Sequence, residues 1–206
     1  MIEIKLFGPT VISGAGTRLV GSDLGGSKPR QLLEMLALDL GAPVAKDLLA
    51  ERLWDGRPPA SYIATVESYV CSLRRRLGLV GGRRGPLATT HHGYLLDPEH
   101  VRVDVASVQS LLAGDVADVT LALDTMSGEL LADEPYAAWA AAARESFDEL
   151  LADACTRAAA AQAAYGSSAS SSPDIVSRAS VTSATSPASR LRTEVMSTRT
   201  CSGSSR

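Results

Sequence analysis

Apolar and polar positions alternate at the start of the chain. Ile2, Ile4 and Leu6 are separated by Glu3 and Lys5, the two-residue period of a half-buried strand. Gly8-Pro9 breaks the run, and Val11-Ile12 and Leu19-Val20 flank the turn-rich Ser13-Gly14-Ala15-Gly16, so the first twenty residues predict a small antiparallel sheet. From Ser27 the period lengthens. Leu32, Leu33, Leu36 and Leu40 recur at helical spacing until Gly41, with Ser27 placed to cap and Pro29 in the first turn. A second helix is predicted over about Lys46 to Trp54, burying Leu49, Leu53 and Trp54 and ended by Asp55-Gly56 and Pro58-Pro59. Ala45 at its cap position is a poor capping residue, so the first turn is expected to fray.

The third helix, about Ala60 to Leu77, has the clearest pattern. Ile63, Val66, Val70, Leu73 and Leu77 form one continuous stripe expected to face a core, with Cys71 toward the side as a small packing residue. Ser61, Thr65, Ser68, Ser72 and Arg75 project on the opposite face, with Arg76 beside them. One flank of this helix is therefore apolar, and the other is a strip of short hydroxyls ending in guanidinium groups. After the link Gly81-Gly82-Arg83-Arg84-Gly85, Leu87 to Leu96 predicts a hairpin: Leu87-Ala88-Thr89-Thr90 as one arm, His91-His92-Gly93 as the bend and Tyr94-Leu95-Leu96 as the return.

From Val105 the composition turns acidic and Ala-rich, predicting helices at about 105–113 and 117–126. A long helix from Pro135 follows, capped by Asp133, with Trp139, Phe147, Leu150, Leu151 and Ala154 on its apolar side. Beyond Tyr165, 19 of 41 residues are Ser or Thr with almost no apolar periodicity, so 166–206 is expected to be a disordered tail. The net charge of −3 conceals an asymmetry: residues 1–105 carry 13 Lys/Arg against 11 Asp/Glu, whereas 106–165 carry 2 against 10. A mildly basic segment joined to a strongly acidic one fits a polyanion-binding module linked to something else. The apolar runs are broken well short of the ~20 residues a membrane span needs. The opening residues lack the form of a secretory leader, and three cysteines far apart provide neither a CxxC pair nor an even framework. A cytoplasmic protein that binds no membrane is the expectation.

A small sheet, three helices with a polar-faced third, then a hairpin is the order of parts in a winged helix-turn-helix domain, so the predicted class is α+β. A major groove about 12 Å wide admits one helix whose outward side chains reach base edges. Lys28-Pro29-Arg30-Gln31-Leu32-Leu33, Gly41-Ala42-Pro43-Val44, Leu53-Trp54, Pro58-Pro59, Ala64-Thr65-Val66, Tyr69-Val70, Leu73-Arg74-Arg75 and Gly93-Tyr94-x-Leu96 together resemble the Streptomyces antibiotic regulatory protein (SARP) family. Its members pair an OmpR-like winged helix with a helical, TPR-like bacterial transcriptional activation domain. Ala122-Leu123, Ser127 to Ala132, Pro135 and Trp139 are similar to the beginning of that second domain.

The resemblance implies a sequence-specific transcriptional activator of an antibiotic biosynthetic cluster. It would bind direct repeats of double-stranded DNA near promoters, as a dimer in one arrangement, and contact RNA polymerase. Carried over by position, Thr65, Ser68, Ser72 and Arg75 would face the groove, Arg74 and Arg76 would hold phosphates, and His91 and His92 would sit at the wing tip. The expected domains are 1–104 for DNA binding, 105–165 for a truncated activation domain and 166–206 for the tail. In the family the second domain continues for further helices; were the Ser/Thr/Arg-rich tail the product of a truncation or frameshift, the apolar side of 135–164 would be expected to lack a covering layer. No nucleophile–base constellation suggests an enzyme. No third ligand joins His91-His92 at metal spacing, and Gly25-Gly26-Ser27-Lys28 lacks the Gly-Lys-Ser/Thr order of a phosphate loop. No cofactor is therefore expected. The alternative reading is a truncated protein-interaction module that competes with a full-length regulator.

Overall fold

The computed structural model describes residues 1–14, 16–79 and 85–166. The tail expected to be disordered lies outside these residues except for Gly166, as do residues 81–84 of the Gly/Arg link. The elements are β1 (Ile2–Lys5), β2 (Val11–Gly14), β3 (Thr17–Val20), α1 (Ser27–Leu38), β4 (Val44–Ala45), α2 (Lys46–Leu53), α3 (Tyr62–Arg76), β5 (Leu87–Thr89), β6 (Gly93–Leu96), β7 (Val101–Val103), α4 (Asp104–Leu112), α5 (Val116–Thr125) and α6 (Ala138–Gly166). They form two compact units: Met1–Val108 with Leu130–Ala142, and Gln109–Glu129 with the chain from Ala143.

In the first unit, β1 and β2 pair antiparallel with Ile4 opposite Ile12, and β2 and β3 with Val11 opposite Val20. The sheet has a fourth member that the pattern did not announce: β7 lies parallel to β1, with Ile4 opposite Val103. Three residues are too few for periodicity to declare a strand, and what stabilises β7 is its long-range ladder. Its end is anchored by Asp104, whose carboxylate accepts the Leu6 and Phe7 N–H groups at 2.9 and 3.1 Å and that of Val105 at 2.8 Å. Burial outweighs those bonds and raises its pKa above the ordinary aspartate value.

Helices α1, α2 and α3 pack on one another through Leu32, Leu33, Leu36, Leu49, Leu53, Val66, Val70 and Leu73, all buried. Several local expectations are corrected. Ser27 is not the cap of α1 but its first residue; Gly26 occupies the cap, with φ of 119° and no side-chain cap bond. Asp133 does not cap α6, which begins at Ala138 rather than at Pro135; its carboxylate accepts the Thr10 N–H at 2.8 Å. Ile63 is 47% exposed, since the first turn of α3 projects past the packed stripe, and Cys71 is exposed rather than packed. Trp54 is half-buried, stacked on Tyr69 at 6.5 Å. Ala45 supplies no cap bond, but β4 pairs with β6 and the Lys46 N–H reaches the His92 carbonyl at 3.3 Å, which ties the start of α2 down.

Residues 130–134 belong to this same unit. Phe7 and Leu130 form an isolated antiparallel bridge, and the Leu131 N–H donates to the Leu6 carbonyl at 2.8 Å. Glu134, 5% exposed, receives Arg30 at 2.6 Å and Gln31 at 2.5 Å from α1. Beneath them Glu34 is fully buried, bonded to the Thr10 hydroxyl and 3.5 Å from the Arg30 guanidinium. Desolvation raises the Glu34 pKa to about 7, more than Arg30 and the Thr10 hydroxyl lower it.

The second unit is helical. Asp115 caps α5 by accepting the Ala117 and Asp118 N–H groups at 2.8 and 3.1 Å, and Val119, Ala122, Phe147, Leu151, Ala154 and Ala158 are buried. Arg157 closes the end of α4 by donating to the Leu112 carbonyl at 2.7 Å. An open cavity of about 570 Å³ separates the start of α5 from residues 154–162 of α6. Among the described residues no helix is long and apolar enough to cross a membrane.

Candidate nucleic-acid interface

Helix α3 is an amphipathic rod with three buried positions, Val66, Val70 and Leu73, locked against α1 and α2. With that stripe fixed, ~100° per residue points Ser61, Ala64, Ser68, Cys71 and Arg75 outward, and all five are exposed. Thr65 and Ser72 lie on one flank and are half-buried; the Thr65 hydroxyl donates back to the Ser61 carbonyl at 3.0 Å. The predicted strip therefore exists, but its centre line also includes Ala64 and Cys71. The same angular projection, applied without sorting by side-chain polarity, finds both.

Glu67 is the single acidic residue of α3 and would repel a phosphate. Lys46 of α2 holds it at 2.5 Å while its ammonium lies 5.7 Å from the centre of the Tyr94 ring. The hydrogen bond to Glu67 raises the Lys46 pKa above the ordinary lysine value. Sequence reading did not single out Lys46, because the pairing joins residues on two different helices.

The wing is a three-stranded sheet in the order β4-β6-β5, with Leu87 opposite Leu96 and Thr89 opposite Tyr94. Its bend is tightened by the Thr90 N–H donating to the Gly93 carbonyl at 2.9 Å and the Gly93 N–H to the Thr90 hydroxyl at 3.1 Å. His91 and His92 are exposed at the tip, their rings stacked 4.4 Å apart and 3° from parallel. Gly93 is dictated by a close approach: a Cβ there would stand 1.8 Å from the Val44 carbonyl oxygen.

The three consecutive arginines diverge. Arg74 is half-buried and donates through Nε and Nη2 to the Leu87 carbonyl at 3.1 and 2.7 Å, and through Nη2 to the Thr89 hydroxyl at 2.8 Å. Arg76 reaches the opposite way, donating to the Asp23 carbonyl at 2.8 Å with its guanidinium against Gly25. Arg75 is exposed on the outer face. Thr65, Ser68, Ser72 and Arg75 thus share the outer side and flank of one helix, and His91 and His92 share the tip of the adjoining wing; Arg74 is half-buried on Leu87 and Thr89, while Arg76 is exposed and donates to the Asp23 carbonyl.

A polar-faced helix packed on two others beside a β-hairpin defines the winged helix-turn-helix class. Residues 25–96 match the family described as "Transcriptional regulatory protein, C terminal". The chain is 34% identical over 116 residues to the regulatory protein DnrI of Streptomyces peucetius, an alignment covering 53% of this chain and 42% of DnrI. It is 36% identical over 96 residues to the transcriptional regulatory protein MoaR1 of Mycobacterium bovis, covering 46% of this chain and 30% of MoaR1. The solved structure of Mycobacterium tuberculosis EmbR in complex with a low-affinity phosphopeptide superposes with a TM-score of 0.64 at 27% identity, over 80% of this chain and 46% of that one. The SARP resemblance and the α+β class, a winged helix followed by a helical segment, both stand with these relatives. The chain spans less than half the length of each of these relatives.

Proposed function

We propose that the protein is a DNA-binding transcriptional regulator that activates an antibiotic or other secondary-metabolite gene cluster. It recognises direct repeats near promoters, as a dimer in one arrangement, and contacts RNA polymerase holoenzyme. Residues 1–104 carry DNA binding, and 105–165 form a partial activation domain. The observation that carries this reading is the outer face of α3: short hydroxyls and Arg75, exposed beside a wing whose tip presents two histidines. Ser and Thr pair with several base edges, Arg pairs bidentately with guanine, and a hairpin beside the helix fits along the backbone or in the neighbouring groove. The protein works in the cytoplasm at the nucleoid and needs no cofactor.

In vitro selection of duplexes by the full chain, followed by footprinting, tests this. The expected result is enrichment of a repeated half-site spaced about one helical turn apart, bound with affinity that falls steeply with salt. Thr65→Ala and Arg75→Ala each weaken the selected site by about 1–3 kcal/mol relative to mixed-sequence DNA. Selection that enriches nothing, with weak binding to every duplex, would favour the interaction-module alternative. In vitro transcription with purified polymerase then reads activation.

A further inference from the structure

The arginine triplet at the end of α3 reads as one cationic patch in sequence, but its members do three different things. We propose that Arg74 and Arg76 are positioning residues that brace α3 from both sides, so that Arg75 alone of the three reaches the DNA. This rests on the DNA-binding reading above and assigns work within that interface.

On one side, Arg74 straddles α3 and the wing. Two nitrogens of its fork converge on the Leu87 carbonyl and one also meets the Thr89 hydroxyl, which fixes the first wing strand relative to the last turn of the helix. Only a planar guanidinium spans both acceptors; a lysine ammonium is a point charge on a flexible stem and cannot hold that geometry. On the other side, Arg76 donates to the Asp23 carbonyl in the 3-10 turn that leads into α1. That turn ends at Gly25, whose φ of 94° favours glycine, and a Cβ there would lie 2.9 Å from the Arg76 Nε. The glycine therefore serves both the left-handed turn and the seat of the guanidinium. The braces set where the wing tip falls relative to the outer face of α3; Arg76, though exposed, is turned toward the Asp23 carbonyl, and Arg75 between them lies on the outer face.

The test separates charge from geometry. Binding of the full chain to a mixed-sequence 30-base-pair duplex is measured across a salt series, and hydroxyl-radical footprints are taken on a duplex selected by the wild-type protein. Each neutralised phosphate contributes about 0.9 to the slope of log K against log salt. Arg75→Gln is expected to lower that slope by about one, whereas Arg74→Gln and Arg76→Gln leave it unchanged. Arg74→Lys retains the charge but not the fork. It is expected to behave like Arg74→Gln, losing protection at the wing's side of the footprint while the protection under α3 persists. Circular dichroism melts confirm that each variant is folded; where Arg74→Gln is not, Arg74→Lys and Arg76→Lys decide. A slope that falls by one in Arg74→Gln or Arg76→Gln and is restored by the lysine variant would overturn the proposal and make that arginine a phosphate ligand. If wild-type protein shows no salt-dependent binding to either duplex, the DNA-binding reading itself fails.

Discussion

Two single residues carry the sharpest consequences of packing. Glu34 is a carboxyl group sealed beneath the Arg30–Glu134 pair, and its pKa stands at about 7 against an ordinary value of 4.5. A folded-state pKa above the unfolded one means that the native protein binds the proton more tightly. The associated stability is complete below about pH 4.5 and is lost as pH rises through about 7. The loss amounts to roughly 3 kcal/mol at its largest, since one pKa unit is worth about 1.4 kcal/mol. Glu34→Gln removes the titrating group, so urea denaturation should show the variant gaining on wild type between pH 5 and pH 8. Parallel pH profiles for the two proteins would show that Glu34 is ionised without cost. Gly93 gives a simpler expectation. A methyl group 1.8 Å from the Val44 carbonyl forces β4 away from β6, so Gly93→Ala should lower stability by about 2–4 kcal/mol in thermal melts.

At the scale of elements, Arg30 joins α1 to the segment that begins with Leu130. Glu134 is 5% exposed, so removing its cation leaves a buried charge with much of its compensation gone. Arg30→Ala should cost roughly 3 kcal/mol in chemical denaturation, and the double variant with Glu134→Gln should recover part of it. A double variant that is only additively worse would show the pair to be uncoupled. The elements themselves were largely legible in sequence: α2 and α3 begin and end within two residues of their predicted bounds, because Leu49, Leu53, Val66, Val70 and Leu73 keep a helical period. What escaped was long-range. β7 depends on pairing with β1 about a hundred residues away, Asp133 accepts the Thr10 N–H, and Arg74 and Arg76 donate to the Leu87 and Asp23 carbonyls. Periodicity records which face of a helix is apolar, but it does not record where a long polar side chain finds its partner. The outer strip of α3 was therefore readable as a face, while the hydrogen-bond partners of Arg74 and Arg76 were not.

At the scale of the whole molecule, the reading of residues 1–104 as a domain meets a physical test in what packs with them. Leu130 and Leu131 are buried within the first unit, Leu131 with a left-handed φ of 55° that glycine adopts more readily than leucine does. Such a conformation costs of order 1 kcal/mol or more and persists only where the surroundings enforce it. Here the Leu6 carbonyl, the Thr10 N–H and the Arg30 and Gln31 side chains do so. A chain ending at Asp104 loses all of these. Two buried leucines contribute about 1.5–3 kcal/mol each, and the partner of Arg30 goes with them. The sum is on the order of 5 kcal/mol, comparable to the entire stability of many small domains. A chain ending at Asp104 is accordingly expected to melt far below one ending at Ala142, which retains the whole first unit, and to bind DNA weakly because α1, the platform under α3, is loosened. Equal melting temperatures for the two truncations would mean that 130–142 rests on a winged helix that is already complete. A large gap would mean that the winged helix borrows part of its core from the start of the helical segment, so that whatever displaces 130–134 also acts on the recognition helix.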